Sequence, residues 1–162
     1  MMMKRMMVAV GGPLAMIAGG ATSAAAAPAI NDGYDWAMRV NDERPVPDAI
    51  LAYEVDGTDD QPLNFTCEEG GDRVFAGISG GAPDLTAITL ESGDQRVRLT
   101  GTTETDEMPT FAAQEMPATF PFFRAFAANG WLRMTANGDT VDMAATAGGK
   151  QAIARFAAFC AG

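Results

Sequence analysis

The sequence predicts an α+β domain: a mostly antiparallel β-sheet of about seven strands with two short helices, the last packed on the sheet and tied to it by a disulfide. Three observations predict it. Gly93-Asp94 and Asn137-Gly138 each sit between alternating apolar runs, which is the signature of two-residue hairpins. Ile153, Phe156 and Cys160 recur at helical spacing near the C-terminus. Leu63, Phe65 and Cys67 alternate with Asn64 and Thr66, so a half-buried strand delivers Cys67 to the core face.

The elements follow in order. Trp36, Met38 and Val40 alternate within residues 35–40, which suits a short strand. Pro45 and Pro47 then stop regular pairing and leave residues 41–48 as a loop. Residues 49–55 read as the next strand, and Asp56 to Pro62 as a turn. Residues 63–67 form the strand that carries Cys67, and Gly70-Gly71 turn the chain into a strand over residues 73–79.

In the first hairpin, residues 85–92 meet residues 95–101. A loop at Gly93-Asp94 sets Leu90 against Val97, Ile88 against Leu99 and Glu91 against Arg96. Moving the loop back by one residue sets Glu91 against Asp94 and mixes the two faces, so the first register is preferred. Gly at the first loop position suits a type II′ turn. In the second hairpin, Asn137-Gly138 suits type I′. It pairs Met134 with Val141 and Leu132 with Met143 on one face, and Arg133 with Asp142 and Thr135 with Thr140 on the other. Trp131 falls on this second, more polar face, where it is either covered by another element or exposed for binding.

A helix over residues 121–129 begins with Pro121 at its first position and stops at Gly130. Its Phe122, Phe123 and Phe126 share a side. The last helix covers residues 150–161, with Lys150, Ala154, Arg155 and Ala158 outward. Residues 102–120 are polar and broken by proline, and read as a long irregular loop, a candidate lid or mobile segment.

The N-terminus reads as an address. Lys4 and Arg5 precede an apolar run over residues 6–18, and small residues with Ala-x-Ala choices follow. This is the three-part pattern of a secretory signal peptide, too short for a comfortable membrane span. The cut is expected after Ala26, with Ala29 as the alternative, so residues 1–26 are the leader and residues 27–162 a single exported, β-rich domain. Met1, Met2, Met3, Met6, Met7 and Met16 leave with the leader. The protein is thus expected in the periplasm or outside the cell, with no stable membrane insertion once the leader is cut. In that compartment two cysteines most simply pair, Cys67 with Cys160.

Composition excludes several chemistries. The formal net charge of −10 argues against nucleic acid, which demands a basic footprint. The chain has no histidine, which removes Ser-His-Asp, Cys-His and His-based metal sites together. A Ser79–Lys150 dyad reads better as a strand-end serine and a solvated lysine. Asp56, Asp59 and Asp60 crowd a glycine-containing turn, but their spacing does not match a calcium loop, so the turn is read as solvated and no metal or cofactor is expected. The paired glycines lack the context of a phosphate loop. Carboxylates are plentiful, so a two-carboxylate hydrolase stays open as an alternative, although the chain offers only two Trp and two Tyr as a sugar platform. No catalytic residues are assigned. Trp131 and Trp36 are the candidate binding-surface residues.

An early Trp, an acidic Pro-containing segment, the strand Leu-Asn-Phe-Thr-Cys and a terminal helix ending Phe-Ala-Ala-Phe-Cys form a layout. It resembles small exported, disulfide-bonded proteobacterial proteins, including accessory periplasmic proteins of type VI secretion. The resemblance implies a β-rich domain with one Cys67–Cys160 bridge and a role in binding or assembly. A weaker resemblance, carried by Phe65-Thr66-Cys67-Glu68-Glu69-Gly70, is to periplasmic inhibitors of C-type lysozyme; the Ser-Gly-Ala-Arg-Tyr-like stretch of those inhibitors is missing. The expected function is therefore a soluble, non-catalytic protein that binds another protein or an envelope component. Lysozyme inhibition is the alternative.

Overall fold

The computed structural model describes residues 25–162. Except for its last two residues, the leader assigned to residues 1–26 lies outside the described residues. The elements are β1 (Tyr34–Asn41), β2 (Asp48–Val55), β3 (Leu63–Glu68), β4 (Val74–Ser79), β5 (Ala87–Ser92), β6 (Gln95–Glu104), β7 (Thr110–Ala113), α1 (Pro121–Asn129), β8 (Trp131–Ala136), β9 (Asp139–Ala144) and α2 (Ala147–Ala161). The α+β class, the antiparallel pairing, the two helices and the disulfide are as the sequence predicts. Among the described residues the strands number nine rather than about seven, in the order β1-β2-β3-β4-β7-β6-β5-β8-β9.

The segment expected to be an irregular loop supplies one added strand and lengthens another. β6 continues to Glu104, and β7 adds to it with Gly101 opposite Ala113 and Glu104 opposite Thr110. β7 also pairs with β4, and Met116 exchanges backbone hydrogen bonds with Val74 at 2.8 and 2.9 Å. Phe111 and Ala113 alternate inward from Thr110 and Ala112, which is a strand pattern compressed into four residues. The first strand is also longer than its apolar alternation, with eight residues paired to β2.

β6 is shared between two halves of the sheet. Its first part pairs with β5, its last with β7. The chain passes from one to the other at Gly101, where a Cβ would stand 2.2 Å from the Ala112 carbonyl oxygen. A side chain cannot fit there, so glycine permits the close approach of the β7 backbone.

Both hairpins keep the expected registers, residue for residue. Gly93 has φ +63° while Asp94 stays negative, as a type II′ turn requires. Asn137 and Gly138 both have positive φ, as type I′ requires.

The two end strands of the sheet are bridged by side chains. The Trp36 indole donates to the Met143 carbonyl at 3.3 Å, and the Asn31 amide to the Asp142 carbonyl at 2.8 Å. α2 packs on β1, β2 and β3, and α1 lies against α2, β5, β6 and β8. Their apolar faces meet the sheet in one aromatic cluster. Phe126 meets Trp36 edge-on at 4.9 Å between ring centres, and Phe123 meets Phe65 at 5.4 Å. Each such ring, fully buried, contributes about 1.5–3 kcal/mol.

α1 has its expected bounds and ends with Gly130 at φ +69°. α2 starts three residues before the expected Lys150. The Thr146 hydroxyl accepts from Gly148 and Gly149 N–H as an N-cap, and the Asp35 carboxylate accepts from Thr146 N and Gly149 N. Two glycines in a first turn conceal a helix start in sequence. At its other end, α2 is bound to the β3–β4 turn. Cys67 and Cys160 form the disulfide across 93 residues. Beside it, Gly70 N–H donates to Phe159 O and Asp72 N–H to Cys160 O, both at 2.9 Å, so the turn satisfies carbonyls that a helix end leaves open.

Candidate binding groove

Alternation fixes which side chains leave the core. In β2, Ala49 and Leu51 point inward, so Asp48 and Ile50 point outward. The register then extends one row across four strands: Arg39 opposite Ile50, Ile50 opposite Thr66, and Thr66 opposite Phe75. The next row reads Asn41, Asp48 and Glu68. Both rows lie on the outer face, away from the helices.

Over these rows the β1–β2 loop and the β3–β4 turn enclose a groove of about 320 Å³, lined by Arg44, Asp48, Thr66, Glu68, Arg73 and Phe75. A hollow of about 130 Å³, reaching Val40 and Ile50, shares Asp48 and Thr66 with it. Val40, Val46 and Phe75 are exposed apolar side chains at 49, 48 and 37 %. Of the three, only Phe75 lines the larger groove.

The charges there are incompletely matched. Asp48 and Glu68 are direct cross-strand partners, and like charges in that relation destabilise a sheet. Arg44 reaches Asp48 only at 3.5 Å, and both are open to solvent. Such a pair contributes little. The Oδ1 atom of Asp48 is buried without a hydrogen-bond partner. Among the described residues Glu68 has no ion-pair partner. Arg73 is turned toward Glu115 at 2.5 Å, and its guanidinium lies 5.6 Å over the Phe75 ring.

A second polar group borders the groove. Arg39 holds both Glu54 carboxylate oxygens, and Gln61 donates to the same carboxylate at 2.9 Å. The Arg39 guanidinium is held more basic than usual, chiefly by its hydrogen bonds to Glu54. Glu54 is buried beneath this arrangement, with Ala52 fully buried one outward position away.

The two tryptophans named from sequence are interior. Trp36 is 2 % exposed and Trp131 is 4 %, so neither ring presents a surface. Trp36 anchors the aromatic cluster. Trp131 borders a hollow of about 240 Å³ shared with Ala25, Glu91, Arg96 and Arg133. Its carbonyl accepts the hydroxyl of Ser92, itself fully buried and bonded to Asn129. Ser79 ends β4 opposite Thr110, and Lys150 packs against Gly130; no hydrogen bond joins them among the described residues.

The Asp56–Asp60 turn is internally satisfied: Thr58 hydroxyl donates to Val55 O, and Asp60 N–H donates to Thr58. The Asp60 carboxylate accepts the Tyr34 hydroxyl and pushes that phenol's pKa up. Among the described residues no group of three or more Cys, Asp or Glu side chains is placed to hold a metal ion. None of the helices described is long and apolar enough to cross a membrane.

Sequence reasoning missed the groove because its residues come from four segments. Only the cross-strand register brings Asp48 to Glu68 and Thr66 to Phe75. No family model, curated protein or solved structure matches the chain.

Proposed function

We propose that the protein is exported and acts in the cell envelope as a non-catalytic binding or assembly protein. The observation that carries the reading is the pairing of the chain's only two cysteines, Cys67 and Cys160, at the seam between α2 and β3. Such a bridge persists in an oxidising compartment. The leader pattern at the N-terminus supports the same compartment. The binding half of the reading rests on the outer-face groove, where apolar and charged side chains stay at the surface. The layout, which resembles that of accessory periplasmic proteins of type VI secretion, fits a role of this kind.

The test has two parts. Protein recovered from an envelope fraction is sequenced from its N-terminus and titrated with Ellman's reagent. The reading predicts a start near Ala27 and no free thiol; an unprocessed chain with two reactive thiols overturns export. The oxidised protein is then used to capture partners from envelope extract. One saturable partner that survives moderate salt is expected, and a blank overturns the binding role.

A further inference from the structure

We infer that Met108, at the tip between β6 and β7, is a modification site: a neutral peroxide oxidises its thioether to the sulfoxide, and the change loosens the hold of that tip on the end of β4.

Exposure selects the sulfur. Met108 is 57 % exposed, whereas Met116, Met134 and Met143 are buried. Met38 is partly buried and packs against the core. No free cysteine is present among the described residues, because Cys67 and Cys160 are bonded to each other. A peroxide therefore meets this thioether before any other easily oxidised sulfur among the described residues. The surroundings select the oxidant. Met108 shares an open hollow of about 440 Å³ with Glu104, Asp106, Glu107 and Thr110. None of those carboxylates has an ion-pair partner among the described residues. On a chain of net charge −10 they repel an anionic oxidant and leave a neutral one unaffected.

The step balances with hydrogen peroxide alone. The sulfur donates an electron pair to one peroxide oxygen, so an S–O bond forms and the O–O bond breaks. The other oxygen leaves as water, taking the proton of the first. The sulfur is oxidised and the peroxide reduced by the same electron pair. The consequence follows from the contact. The Met108 sulfur lies 3.6 Å from where a side chain on Gly80 would begin. Gly80 N–H donates to Pro109 O at 2.8 Å, and Ser79 stands opposite Thr110. Oxidation puts a polar sulfoxide at that junction in place of an apolar thioether.

The test treats the full chain, its disulfide intact, with hydrogen peroxide at neutral pH, and peptide mapping follows each methionine. Met108 is expected to gain its oxygen about tenfold or more faster than Met38, Met116, Met134 or Met143. Met108→Leu, which keeps an apolar side chain over Gly80, removes that fast phase without loss of thermal stability. Peroxymonosulfate, an anionic peroxide, is a second probe. Its rate at Met108, relative to capped methionine amide, falls about twofold or more below the relative rate of hydrogen peroxide, and salt closes the gap. In the singly oxidised protein, amide exchange quickens about threefold or more at Gly80 and stays level at Leu99. Even oxidation of the methionines, a faster site at Met38, equal relative rates of the two peroxides at low salt, or unchanged exchange at Gly80 overturns the inference.

Discussion

The backbone N–H of Asp72 donates to the carbonyl oxygen of Cys160 at 2.9 Å, and the Asp72 carboxylate accepts from Thr119 N–H at 3.0 Å. One residue thus ties the β3–β4 turn to the end of α2 and to the segment leading into α1. It does so at φ +48°, a left-handed conformation that Asp and Asn tolerate better than other non-glycine residues. Asp72→Ala loses the carboxylate bonds and strains the backbone, at a cost of about 2–3 kcal/mol. Asp72→Asn keeps the conformation and an acceptor, and costs about 1 kcal/mol or less. Chemical denaturation of the two variants checks the order; equal losses contradict it.

The disulfide closes a 93-residue loop. The chain-entropy account gives about 4–5 kcal/mol for a loop of that length, before native strain. The Cys67→Ala, Cys160→Ala protein is expected to lose most of that in urea unfolding. Hydrogen exchange should quicken first at Gly70 and Asp72, whose N–H groups bond the end of α2. A variant as stable as the parent contradicts this role for the bridge.

Gly101→Ala places a methyl group against the Ala112 backbone, which has no flexible end to yield. The expected loss is about 3 kcal/mol or more, with the β6–β7 pairing lost before the β5–β6 pairing. Amide exchange at Thr102 and Ala112 compared with Leu99 reads this directly. Uniform exchange across the three argues against a close backbone approach at Gly101.

The chain has only two tyrosines, so a tyrosinate absorbance titration reports on these alone. The Asp60 carboxylate pushes the Tyr34 phenol up, and burial pushes up Tyr53. Both folded values therefore lie above the ordinary 10.0. Folding favours the protonated phenols. Their contribution is complete below the unfolded value and is lost as pH rises through the folded ones. Tyrosinate should appear above the ordinary pH range, and the denaturation midpoint should fall with it. A midpoint that stays level over that interval contradicts the assignment.

Much of the fold is legible in the sequence where local chemistry and pairing agree. Asn137-Gly138 and Gly93-Asp94 set both hairpin registers, and Pro121 with Gly130 bounds α1. The readings that differ share a cause: tertiary partners decide them. β7 holds four residues between acidic and proline-rich stretches, and only the edges of β4 and β6 make it a strand. α2 begins at Ala147 because Asp35, far away in sequence, bonds the Thr146 and Gly149 N–H groups. The groove depends on registers between β1, β2, β3 and β4, which no two-residue turn signal fixes. The polar alternation around Trp131 leaves cover and exposure both open, and the structure encloses the ring. Acrylamide quenching follows from that placement: both indoles should be poorly accessible, and one strongly quenched component would contradict it.

The most direct test of the account is the thiol state of the protein as the cell makes it. Protein recovered from an envelope fraction is alkylated under denaturing conditions, without reductant, and weighed by mass spectrometry. The account predicts an unlabelled chain in which Cys67 and Cys160 are bonded to each other. A chain labelled at both cysteines would contradict it.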